Sequence, residues 1–183
     1  MTSPIPLAEV FRFCPRCGAS NETPGDEPFR CAACDFVFYF GPVGAVGGII
    51  ANQQRQVLLI RRAKDPGKGE YGLPGGFVDP GESAEIALSR EVHEELGLTV
   101  TEHQVLVSYP NIYNYRGVAL PVLDVFYVCS VDMTETIRAA ASEVSCWEWC
   151  ECDDHVLAQM AFESNRKALE LFRETCIDLP GRS

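Results

Sequence analysis

The sequence has no run approaching the roughly 18 consecutive apolar residues that a membrane-spanning helix needs, so no membrane partner is expected. It is also short of positive charge: 15 Lys and Arg stand against 26 Asp and Glu, a formal net charge of −11. A general surface for nucleic acid or anionic lipid requires clustered cations, and none is present, so nucleic acid is not an expected partner. The opening MTSPIPLAEVFRF lacks both a basic leader and a signal-like apolar core, which leads us to expect a cytoplasmic protein. No G-x-G-x-x-G opens a helix after a strand, which argues against a Rossmann dinucleotide fold.

What is present is apolar content of 46% in 183 residues, enough for one well-packed domain with a small appendage. Acidity also constrains the ligand. A carboxylate-rich site can hold an anionic ligand only if divalent cations neutralise both, so metal dependence is anticipated for any such ligand.

Cysteine is abundant, and the odd total of nine forbids complete intramolecular disulfide pairing. Cys14-Pro-Arg-Cys17 and Cys31-Ala-Ala-Cys34 form two C-x-x-C knuckles, whereas Cys129, Cys146, Cys150, Cys152 and Cys176 are scattered. Two such knuckles suit tetrahedral thiolate coordination of a structural Zn2+, with two reducible disulfides as the competing reading. Gly18 is placed to take the backbone dihedrals that a knuckle turn often requires. The motif resembles the zinc ribbon, and residues 1–40 are read as that ribbon. Arg12, Arg16 and Arg30 are offset by Glu22, Asp26, Glu27 and Asp35, so it carries no basic stripe. Its aromatics exceed what so small a core can hold. Some are expected to dock it on the following domain or on a second subunit, which keeps a homodimer among the expected assemblies.

Gly41-Pro42 marks a boundary, and residues 41–183 are read as the main domain. AVGGIIAN and QVLLIRRA predict a hairpin, Lys64–Glu70 a loop, and YGLPGGFV an extended glycine-rich segment. A helix follows, with Asp79 as N-cap, Pro80 in the first helical position, Glu82 completing a capping box and Gly97 as the stop. Leu88, Val92 and Leu96 make its buried stripe. Strands are expected at 99–109, 118–131 and 143–150, and a last helix at 162–175.

On that helix Glu91, Glu94 and Glu95 share one face close to the C-terminus, where the helix dipole and mutual repulsion disfavour them by about 1 kcal/mol. A divalent cation would compensate; a solvated acidic face is the plainer explanation for glutamates that stand alone. These do not, because the glycine loop Leu73–Phe77 brings exposed backbone close to them. Gly76, Glu82, Arg90, Glu91, Val92, Glu94, Glu95, Gly97 and Leu98 match every defined position of the Nudix box G-x5-E-x7-R-E-U-x-E-E-x-G-U, U being aliphatic, and the chain thereby resembles the Nudix hydrolases.

The resemblance implies a Nudix α/β/α sandwich with a mixed sheet behind the small zinc ribbon. It implies hydrolysis of a nucleoside diphosphate linked to a moiety X, giving a nucleoside monophosphate and phosphorylated X. ADP-ribose and nucleotide sugars are candidate substrates. Glu91, Glu94 and Glu95 would hold Mg2+ or Mn2+, the Gly76 carbonyl would add a ligand, and Arg90 would pair with Glu82. Glu91 and a residue outside the box are candidates for the general base. Glu143, before the Trp147–Trp149 segment, resembles a later glutamate that serves as ligand or base in many relatives; a plain loop carboxylate is the alternative. Arg61, Arg62, Lys64 and Lys68 could meet substrate phosphates or be surface charges. Tyr109, Tyr113, Tyr115 and Arg116 are read as a polar loop, whose rings could stack on a base, and His93 as exposed.

A ribbon before such a domain resembles the NADH pyrophosphatases, some of which remove NAD caps from RNA, and this is the second functional reading. That family carries an S-Q-P-W-P-F-P type motif where this chain has Ser108-Tyr-Pro-Asn-Ile-Tyr113, and its larger N-terminal domain is not expected here. A non-catalytic nucleotide sensor is a third reading, against which the intact glutamates count.

Overall fold

The protein is described over residues 3–175 of a computed structural model, so Cys176 and the rest of the C-terminal tail lie outside the described residues. In chain order the strands are β1 (Ile5–Pro6), β2 (Phe29–Arg30), β3 (Val37–Phe38), β4 (Val43–Ile50), β5 (Val57–Arg62), β6 (Tyr71–Gly72), β7 (Val100–Tyr115), β8 (Val118–Val131) and β9 (Val144–Cys150). The helices are α1 (Ala84–Leu96), α2 (Asp154–Leu157) and α3 (Glu163–Glu174). No helix among the described residues is long and apolar enough to cross a membrane.

The chain forms two compact units: one runs up to Val43 and includes Ile112–Val122, the other comprises Gly44–Asn111 and the chain from Leu123. In the first unit β2 and β3 pair antiparallel, β1 runs parallel to the start of β8, and Phe11, Phe29, Phe38 and Phe40 pack ring against ring at 5.0–5.1 Å. Those rings account for much of the aromatic surplus. Phe13 and Tyr39 remain exposed.

In the second unit, strand alternation builds a three-layer core. From β5, Leu58 and Ile60 point to Ala87, Leu88, Val92 and Leu96 of α1; Val57 and Leu59 point the other way, to Ala168, Leu169 and Phe172 of α3. Strand β8 divides likewise, Tyr127 and Cys129 toward α1, Phe126 and Val128 toward α3. Strand side chains with a two-residue period can fill both faces only if each is covered, so the sheet layer sits between two helical layers as an α/β/α sandwich. Each fully buried leucine of this core contributes about 1.5–3 kcal/mol of burial.

Three local expectations need correction. The arms of the expected β4–β5 hairpin meet only at the bridge Ala51–Val57, around a turn closed by Asn52; β4 then pairs with β8, and β5 lies between β6 and β9. Each arm finds a longer partner elsewhere.

The α1 helix starts later than expected. The Glu82 carboxylate does accept the Asp79 backbone N–H at 2.7 Å, but Gly81 has φ +93°, so these contacts close a turn instead of a helix. The cap is Ser83, whose Oγ accepts from Ile86 N at 3.4 Å, while Gly97 ends the helix in the left-handed region at φ +69°.

Strand β7 extends to Tyr115, so the presumed tyrosine loop is strand. Only Arg116 and Gly117 turn, both with positive φ. The short α2 was not anticipated; its four residues are too few for a periodic signal.

Ser83→Ala is therefore expected to cost about 0.5–1 kcal/mol in denaturant unfolding, and Asp79→Ala less, the reverse of the order an Asp79 cap would give.

Candidate active site

The sulfurs of Cys14, Cys17, Cys31 and Cys34 all lie within 4.8 Å of one another, and among the described residues they are the one group of potential metal ligands so gathered. Cys14–Cys34 and Cys17–Cys31 are 3.8 and 3.6 Å apart, too far for disulfides. A tetrahedron with metal–sulfur bonds of about 2.3 Å has edges of about 3.8 Å, so the four fit a structural Zn2+. Each knuckle closes identically: Gly18 N–H donates to the Cys14 carbonyl and Asp35 N–H to that of Cys31, with Gly18 and Asp35 both left-handed. The second knuckle thus uses an aspartate where glycine was the evident signal, which that residue type tolerates.

In the second unit, Leu73–Val78 runs along β4: Gly48 N–H donates to the Pro74 carbonyl, Val46 N–H to that of Gly76, and Val78 N–H to that of Gly44. This lays the loop across α1. A Cβ on Gly75 would stand 2.1 Å from the Val46 carbonyl oxygen, and one on Gly76 would stand 2.5 Å from the Glu91 carboxylate. The Gly76 carbonyl keeps one lone pair after accepting from Val46.

The glutamates sit in unequal surroundings. Glu95 is 6% exposed, and one oxygen accepts the Gly75 N–H at 2.9 Å. No Lys or Arg among the described residues comes within ion-pairing distance of it. Burial pushes its carboxyl up to about 8 against the pull of that N–H, and the charges of Glu91 and Glu143 add to the rise. Burial likewise raises Glu91, held back by Arg90. Glu94 is exposed.

Arg90 ties loop to helix. Its guanidinium reaches Glu82 at 2.6 and 3.2 Å, the Phe77 carbonyl at 3.0 Å, Glu91 at 2.8 Å and Glu94 at 3.2 Å. Its hydrogen bonds and the Asp79 N–H hold Glu82 below the usual carboxylate range.

Glu143 lies in the turn before β9. Ala140 N–H donates to the Glu95 carbonyl and Arg138 N–H to that of Leu96, so this segment closes the C-terminus of α1 and brings Glu143 near enough to act on Glu91 and Glu95. Its side chain, half exposed, pairs with Lys64 at 3.3 Å. The other cations before the box are sorted by their contacts. Arg61 is occupied by Glu148, the Gly69 carbonyl and the Tyr71 ring. Arg62 lies over the Phe162 ring and donates from Nε to the Pro66 carbonyl; among the described residues its terminal nitrogens meet no acceptor. Lys68 is exposed and His93 too.

Sequence reasoning missed Gly75, whose N–H and tight backbone path are visible only once β4 is in place. It also missed Asp124, a buried carboxylate on β8.

In metal-free protein, Glu95 has a folded pKa above its unfolded value of about 4.5. The native state then holds the extra proton, and stability falls as pH rises from about 4.5 through 8. The loss attributable to Glu95 is a few kcal/mol at most, on the order of 1.4 per unit. Thermal unfolding from pH 5 to 9 should show this decline in wild type and a flatter one in Glu95→Gln; equal slopes would contradict it.

Similarity to known proteins agrees with this geometry. Residues 41–172 match the NUDIX domain family model. An ADP-ribose pyrophosphatase of Methanocaldococcus jannaschii is 50% identical over 60 residues, 33% of this chain and 35% of that protein. An NAD-capped RNA hydrolase NudC of Vibrio vulnificus is 30% identical over 105 residues, 57% of this chain and 40% of that protein. This chain therefore spans well under half the length of these relatives. The NUDIX domain of Shewanella oneidensis NrtR, solved with ADP ribose, superposes with a TM-score of 0.59 at 26% identity, covering 73% of this chain and 88% of that one. A MutT NUDIX hydrolase of Burkholderia pseudomallei gives 0.59 at 26% identity over 72% of this chain and 98% of that one. With the family model covering most of the chain and the loop, helix and glutamates in the arrangement described, the protein belongs to the NUDIX domain family.

Proposed function

We propose that this chain is a divalent-metal-dependent hydrolase cleaving the diphosphate of a nucleoside diphosphate linked to X, with ADP-ribose as the first candidate. Residues 41–183 form the hydrolase domain in this reading, and residues 1–40 a ribbon held by structural zinc on Cys14, Cys17, Cys31 and Cys34. The observation that carries it is Glu95: a buried carboxylate with one backbone donor and no paired cation, beside Glu91 and the Gly76 backbone. Burying such a charge unpaired costs several kcal/mol, which a bound cation offsets.

Glu91, Glu94 and Glu95, with the Gly76 carbonyl, are the residues that would hold Mg2+ or Mn2+. When bound, the metal draws charge from the phosphoryl oxygens and lowers the pKa of a bound water. Arg90 keeps the loop and these carboxylates in register. Glu143 or Glu91 accepts the proton of the attacking water; Glu143 is the more exposed of the two and is paired with Lys64, Glu91 with Arg90. The free end of Arg62 faces the substrate phosphates, a role its neighbours Arg61 and Lys64 cannot share while paired.

The ADP-ribose named for the archaeal relative and seen with the Shewanella domain supports that substrate. The relative named NAD-capped RNA hydrolase supports a second reading, NAD(H) or NAD-capped RNA, although Ser108–Tyr113 departs from the motif of that group and lies within β7. Full-length protein with Mg2+ or Mn2+ should release AMP from ADP-ribose or NADH, and Glu95→Gln should lower turnover by about 100-fold or more with the fold and zinc retained. Undiminished turnover in that variant, or no monophosphate from any diphosphate-linked nucleotide, contradicts the reading.

A further inference from the structure

The second unit buries one more carboxylate that the proposed chemistry leaves unused. Asp124 of β8 is 6% exposed and faces the α3 side of the sheet, the same side as Phe126. Its Oδ2 accepts twice, from Ser164 Oγ at 2.5 Å and from Asn111 Nδ2 at 2.9 Å. Among the described residues no donor meets Oδ1 and no cation pairs with the group. Yet no buried side-chain oxygen among them lacks a partner, so Oδ1 opens onto accessible space.

A purely structural role fits poorly. An asparagine could engage Ser164 and Asn111 without burying a charge, and the neutral donors here offset only part of that cost. Burial accordingly raises the Asp124 carboxyl, with Ser164 and Asn111 opposing.

The surroundings point to a ligand. Tyr109 is two residues before Asn111 on β7, half-buried, with its ring 6.5 Å from that of Phe126. Ser164 is followed by Asn165, whose Oδ1 accepts the Leu73 N–H at 3.1 Å. Leu73 is two residues from Gly75, which holds Glu95. On the same side, Phe162 carries the Arg62 guanidinium. The carboxylate cluster, the Arg62 guanidinium and the buried Asp124 acceptor are thus linked through adjacent residues, with Tyr109 on the neighbouring strand, a set of features that a phosphate-to-base ligand would use.

We propose that Asp124 reads the nucleobase: its Oδ1 accepts an N–H of an exocyclic amino group, with Tyr109 as the stacking partner. One open oxygen suits a single donor. Guanine, with adjacent N1 and N2 donors, would seek both carboxylate oxygens, and Oδ2 is already filled; adenine offers its one amino group. The inference rests on the reading of the chain as a nucleotide-binding hydrolase and names its base.

Calorimetric titration of full-length, zinc-loaded protein with AMP, IMP and purine riboside monophosphate, in the presence of Mn2+, tests this without turnover. Wild type should bind AMP at least about tenfold more tightly than purine riboside monophosphate, which leaves the acceptor unpaired, and than IMP, whose 6-oxo group would face the Asp124 oxygen in place of the amino group. In Asp124→Asn the AMP-over-IMP gap should shrink severalfold, because an amide can donate to the 6-oxo group. A structural role alone would lower all three affinities together and leave the ratio intact. Wild-type affinities within threefold of each other, or an unchanged ratio in the variant, overturn the proposal; if the variant does not fold, the wild-type comparison decides. AMP selectivity without hydrolysis of any diphosphate would keep the base site and remove the hydrolase reading, whereas hydrolysis without amino discrimination would do the opposite.

Discussion

Gly75 runs at φ +146° with its hypothetical Cβ 2.1 Å from the Val46 carbonyl oxygen, and Gly76 passes so close to α1 that a Cβ would enter the Glu91 carboxylate. No other residue type can follow this path without moving β4 or the helix. The closeness lets a backbone N–H reach the buried Glu95 and brings the Gly76 backbone against Glu91. Remove it, and three glutamates at the unfavourable end of a helix dipole lose the scaffold that gathers them.

Arg90 makes that contact durable and divides the carboxylates by task. Glu82 receives two guanidinium contacts and a backbone N–H, and its charge is satisfied. Glu91 and Glu94 share what remains of the same cation, and Glu95 receives none of it. One arginine among four glutamates leaves a local excess of negative charge, in a chain whose net charge is already −11. Under the proposed function, that excess is what a divalent cation answers, and the cation in turn makes an anionic substrate tolerable.

Much of this was legible in the sequence because it depends on short-range spacing. The stripe Leu88, Val92 and Leu96, the stop at Gly97 and the knuckle spacing of Cys14, Cys17, Cys31 and Cys34 are local patterns, and all appear as expected in the structure. What failed depended on competing partners or on longer range. Asp79 and Ser83 are both plausible caps four residues apart, and the positive φ of Gly81 decides between them. The β4–β5 turn is local, but the destination of each arm is set by β8 and β9, far along the chain. The tyrosines after the box read as loop because Pro110 and Asn111 interrupt an apolar alternation; pairing with β8 overrides that signal. Asp124 gave no signal at all, since a single aspartate within a strand says nothing until Ser164, 40 residues later, closes over it.

The reading of the carboxylate cluster rests on Glu95, a buried carboxylate with one backbone donor and no paired cation, whose carboxyl burial raises to about 8. Titrating Mn2+ into the zinc-loaded protein at pH 7, in two buffers of different ionisation enthalpy, counts the protons released on binding. With a carboxyl at about 8, close to one proton should leave per saturable site, falling toward zero by pH 9. Saturable binding without proton release at pH 7, or no saturable binding at all, would contradict that role for Glu95.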